Sequence, residues 1–149
     1  MAETLGMLCD KLTIVKLKQY HTEDENRLSS LANQAVLLQT EINEYISDAI
    51  AGRIDPEKMT FAANKVFKKE GNIANEASGD FGQVFYQLSE VNCKLWHEQE
   101  KVYDFENVPV EEKNKVVKEL ALLNLERNNC IDAINILFKN LILKNKPEL

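Results

Sequence analysis

Apolar residues recur at steps of three and four along most of the chain, the spacing of a helix with one buried stripe. Leu5, Leu8, Leu12 and Val15 predict a first helix over residues 3–25. Leu28, Leu31, Ala35, Leu38, Ile42, Tyr45 and Ala49 predict a second over 28–51, with the polar "EDEN" as the turn between them. Gly52 is the stop signal, since glycine accepts the left-handed conformation that ends helices. Asp55 and Pro56 then read as an N-cap and a first-turn proline. They predict a short helix with Phe61, Val66 and Phe67 that runs to about Lys69, followed by the loop "EGNIANEASGD". A fourth helix starts near Asp80 and places Phe81, Val84, Leu88, Val91 and Leu95 on one face. After the turn in "ENVPVEEKNK", a long last helix carries Val116, Leu120, Leu123, Ile134, Phe138 and Leu141, and frays at "KNKPEL".

The stretch "GMLCDKLTIVKLKQYHTED" (6–24) aligns without a gap with "GQVFYQLSEVNCKLWHEQE" (82–100). Gly6 and Gly82, Leu12 and Leu88, Val15 and Val91, Lys18 and Lys94, and His21 and His97 are identical pairs. The expected architecture is all-α: a single domain over 1–149, a four-helix bundle of two repeated helical hairpins, 3–51 and 81–143, joined by a connector over 52–80.

Composition agrees with few, long elements. Glycine (5) and proline (3) are scarce, which disfavours a many-turned β fold, and a chain of 149 residues buries roughly 70% of its unfolded surface without staples. The net charge of −6, with both signs interleaved, disfavours a nucleic-acid partner, whose phosphates demand a basic face. Cys9, Cys93 and Cys130 are odd in number and lack Cys-x-x-Cys spacing, so they read as small buried hydrophobes. The N-terminus is not patterned as a secretory signal, and no stretch reaches the ~20 apolar residues of a membrane span. A cytoplasmic location is the expectation.

Candidate chemistry lies on the less regular helix rows. Met7, Asp10, Ile14, Leu17, His21 and Asp24 form a second row on the first helix, opposite its main stripe, so this helix is expected to be sandwiched between the second helix and either the other hairpin or a second subunit. The matching row of the fourth helix is Tyr86, Glu90, Cys93, His97 and Glu100. His21 with Asp24 and His97 with Glu100 each place an imidazole and a carboxylate one turn apart, an alternative metal set. Arg127 stands on the apolar stripe of the last helix. A guanidinium there requires a carboxylate partner, for which Asp10, Glu90 and Glu100 are available, a route to the edge, or a bound anion. Lys18 and Lys94, one turn before each histidine, would supply further cations to an anion or sugar phosphate. Phosphate-loop, dinucleotide-binding, nucleophile-elbow and His-Glu-x-x-His motifs are all missing, and no cofactor is implied.

"LGMLCDKLTIVKLKQYHTEDENR" resembles an uncharacterised bacterial all-helical family whose genes are often found among those for surface-polysaccharide assembly. The resemblance rests on Gly6, Asp10, Lys11, Leu12, Thr13, Ile14, Lys18, Tyr20, His21, Glu23 and Asp24. It continues, with the two halves in swapped order, in "LWHEQE" and in "NLERNNCID" with Asn124, Arg127 and Asn128. It implies a helical fold, a neighbourhood of envelope glycan synthesis and a short set of residues to examine.

These observations lead to an expected binding or interaction module, homo-oligomeric or with a protein partner, and not itself catalytic. Its candidate ligand-binding residues are Asp10, Lys18, His21, Lys94, His97 and Arg127. Two alternatives stand beside it: a metal-dependent enzyme built on His21, Asp24, His97 and Glu100, and an anion-binding or sugar-phosphate-binding domain.

Overall fold

A computed structural model describes residues 2–61 and 77–145. Within them the chain forms four α-helices and no strand: α1 (Leu5–Tyr20), α2 (Glu25–Ile50), α3 (Phe81–Tyr103) and α4 (Val110–Lys144). Single 3₁₀ turns at Pro56–Lys58 and Phe105–Asn107 punctuate the connections. The expected all-α bundle is the observed fold. The connector helix over 55–69 is represented by the turn at Pro56–Lys58; its remaining positions, Val66, Phe67 and Lys69 included, lie outside the described residues.

Caps set the helix limits more tightly than periodicity does. The Thr4 hydroxyl accepts the Met7 N–H, which starts α1, and the Asp24 carboxylate accepts the N–H groups of Asn26 and Arg27, which starts α2. The turn therefore occupies residues 21–24, slightly earlier than the periodicity predicts. Asp80 and Gln83 form a reciprocal capping box at the head of α3. Each cap gives a partner to amides that the first helical turn leaves unpaired. Gly52, just beyond α2, has φ +77, where a side chain would clash with the backbone.

Short connections make α1 with α2, and α3 with α4, antiparallel neighbours. α1 packs on all three other helices, and α3 packs on α4. This accounts for the two apolar sides of α1: the Met7, Asp10, Ile14 row meets the second hairpin of the same chain. One core results. Leu8, Val15, Leu38, Tyr45, Leu88, Val91, Leu123, Ile134 and Phe138 are buried in it, and each large aliphatic side chain so enclosed contributes about 1.5–3 kcal/mol of transfer free energy. The Tyr45 and Phe138 rings, with centroids 6.0 Å apart, join α2 to α4. Met59, which no helical stripe marks, is also fully buried.

The helix starts also explain Gly6. Its N–H, one of the unpaired amides of the first turn of α1, donates to Asn135 Oδ1 at 2.7 Å. A Cβ at this position would lie 2.5 Å from the Ile131 carbonyl oxygen and 2.8 Å from Asn135 Oδ1. Only glycine lets α1 approach α4 this closely. Gly82, its counterpart in the repeat, is exposed, and the nearest atom to a Cβ there is 3.8 Å away.

Candidate functional site

Asp10 and Arg127 come together at the centre of the bundle. Arg127 Nε donates to Asp10 Oδ1 at 2.8 Å and Nη2 donates to Oδ2 at 2.5 Å. Asn92 of α3 donates to the same Oδ1 at 3.0 Å and to Thr13 Oγ1 at 2.7 Å, while the Thr13 hydroxyl donates to the Asp10 carbonyl at 2.7 Å. One carboxylate thereby holds α1, α3 and α4. The hydrogen bond to Asp10 pushes the Arg127 pKa up, burial opposes this, and the carboxylate charge adds to the rise. Asn92 Oδ1 is buried without a hydrogen-bond partner.

Of the three carboxylates available to Arg127, only Asp10 lies on a face turned toward α4. Glu90 instead pairs with Lys94 at 3.3 Å, one helical turn away. Glu100 accepts the Trp96 indole N–H at 3.1 Å. Two of the cations offered to an anion, Arg127 and Lys94, thus each have a carboxylate partner. Lys18 is exposed on the last turn of α1.

The two histidines occupy unlike positions. His21 is the C-cap of α1, its backbone N–H bonded to Leu17, and its ring stacks on Trp96 with centroids 4.8 Å apart and planes 15° apart. His97 is exposed within α3, which continues to Tyr103. Among the described residues no group of three or more His, Cys, Asp or Glu side chains is placed to hold a metal ion. The alternative set of His21, Asp24, His97 and Glu100 is corrected on this point: Asp24 caps α2, Glu100 holds Trp96, and His21 lies flat against the indole.

His97 does line an open groove of about 780 Å³ where α3 turns into α4. One wall is the end of α3, with Glu98, Lys101 and Asp104; the other is the start of α4, with Glu112, Lys115 and Glu119. Val108, Pro109 and the buried Val116 supply its apolar part. Glu98 and Lys101 pair at 2.9 Å. Sequence reasoning pointed to His97 but missed this groove, whose walls are polar positions brought face to face by a turn. It also missed Asn92 and Asn135, although each stands on an apolar stripe, the same signal that singled out Arg127.

No protein-family model, curated protein or solved structure matches this chain.

Proposed function

We propose that this chain is a helical binding module that engages a protein partner through the groove at the α3–α4 turn. The observation that carries this reading is the groove itself, a concave, mixed apolar and charged surface of a size suited to side chains of a partner. The internal pairing of Arg127 with Asp10 supports it too, because that ion pair accounts for the charge on the core stripe structurally. The setting we propose is the bacterial cytoplasm beside enzymes of surface-polysaccharide assembly. The resemblance of the two histidine-bearing segments supports that setting, and the structure adds that no helix among the described residues is long and apolar enough to cross a membrane. Self-association remains part of the proposal as one form the protein partner can take.

The test is a photo-crosslinking residue placed at His97 or Lys101 of the full chain in its native cells. A discrete adduct from these positions, and none from Leu37 on the outer face of α2, is the expected result. Identical adducts from all three positions, or none at all, would end the reading. Elemental analysis of wild type and His97→Ala supplies the second arm: a stoichiometric transition metal lost in the variant would transfer the proposal to a metal enzyme.

A further inference from the structure

The end of the bundle that holds the groove is also where α4 runs beyond α1. The contacts that join α1 to α4 fall at Arg127, Ile131 and Asn135; toward Val110, α4 runs beside α3. Val110 and Val117 are seven residues apart and so lie on one row of α4. They are 79% and 56% exposed, and Tyr103 at the end of α3 is 85% exposed. Glu112 and Glu119, also seven apart, form a separate acidic row on the groove side. Counted over the whole groove lining there are five carboxylates (at 98, 100, 104, 112 and 119) against two lysines (101 and 115).

We infer that this projecting end docks a basic amphipathic helix of a partner protein. The inference rests on the reading above and specifies the partner's chemistry. An apolar row beside an acidic one matches a helix whose stripe of large apolar residues is edged by lysine or arginine. The apolar row gives the contact area that excludes water, and the carboxylates fix orientation and speed association. Charge disfavours a second copy of this chain at the same surface, since two such ends would oppose carboxylate to carboxylate.

The probe is a short helical peptide of leucine and lysine, titrated into the ¹⁵N-labelled full chain at low and high salt. The expected shifts fall on Tyr103, Val110, Glu112, Val117 and Glu119. Val110→Asp/Val117→Asp, and separately Glu112→Lys/Glu119→Lys, should each weaken binding by about tenfold or more, which corresponds to about 1.4 kcal/mol. Added salt should weaken it further. Leu37→Asp on α2 should bind as wild type does, and circular dichroism checks that every variant is folded. Equal binding of a leucine and glutamate peptide, shifts centred on Val36 and Leu37, undiminished affinity in both double variants, or displacement by spermine alone would each overturn the inference. If crosslinking at His97 captures a partner while the basic peptide fails, the partner's chemistry is wrong and the binding module stands. If crosslinking fails as well, both fall.

Discussion

The carboxylate of Asp10 and the guanidinium of Arg127 lie 117 positions apart in sequence and meet through two hydrogen bonds, one to each carboxylate oxygen. Asp10 is nearly buried, whereas Arg127 keeps about a third of its side chain exposed, 33%. The pair is therefore asymmetric: the acid depends on the base for solvation, and the base retains some water.

Removing one member leaves a charge without its partner. Asp10→Ala should destabilise the fold by about 3 kcal/mol, the low end for a broken buried pair because Arg127 can turn outward. Asp10→Leu/Arg127→Met should recover most of that loss, since apolar side chains of similar volume need no pairing. Urea denaturation of the two singles and the double measures the coupling. A double variant whose loss equals the sum of the singles would mean that the pair contributes nothing as a pair.

The two glycines of the repeat should respond with opposite sign. Gly6→Ala drives a methyl group into the Ile131 carbonyl and Asn135, and should cost about 1–3 kcal/mol as α1 is forced off α4. Gly82→Ala meets open space and should stabilise by roughly 0.5 kcal/mol, through the lower entropy of the unfolded chain. Thermal melts of the two variants decide it, and equal shifts would contradict the geometry.

Asn135 should be as sensitive as Gly6. It is buried and accepts the Gly6 N–H, so Asn135→Leu leaves an amide without a partner at a buried helix start, a loss of about 1–3 kcal/mol. Hydrogen exchange of the Gly6 amide should accelerate in this variant by more than the global loss of stability accounts for. Exchange that merely tracks global unfolding would place the partner elsewhere.

The cysteines should divide by exposure. Cys93 is exposed while Cys9 and Cys130 are buried, and burial, chiefly, pushes the Cys9 and Cys130 thiols from 9.0 up to about 11. A thiol titration of the native protein should find one fast group, and of the denatured protein three. The sign of the pH effect follows from the same shifts. Both thiols hold their protons longer when folded, so the stability they contribute is complete below pH 9 and is lost as pH rises from 9 toward 11. Cys9→Ala/Cys130→Ala should flatten the alkaline decline in denaturation midpoint, and an unchanged decline would assign it to Tyr45, whose pKa burial also raises.

The fold was legible because helix formation depends on neighbours three and four residues apart, which the sequence displays directly. Leu31, Ala35, Leu38, Ile42, Tyr45 and Ala49 form the inner face of α2 as their spacing predicts. The boundaries were less legible: Asp24 could end one helix or begin the next, and its carboxylate caps the second. The site was legible only in part. Arg127 on an apolar stripe announced a need for a partner, and Asn92 and Asn135 carried the same signal, while Val108, Pro109 and Glu112 had nothing in their spacing to mark a groove.

By itself the sequence determined which residues share a helix face, that the first helix has two apolar sides, and that the charge on the last stripe must be compensated. Only the tertiary structure decided that Asp10, rather than Glu90 or Glu100, meets Arg127; that Gly6 is a contact and Gly82 is not; and that the two histidines serve different places. The physical reason is that local periodicity sets the direction of a side chain about its own helix axis, whereas the rotation of one hairpin against the other is set by packing between residues far apart in the chain.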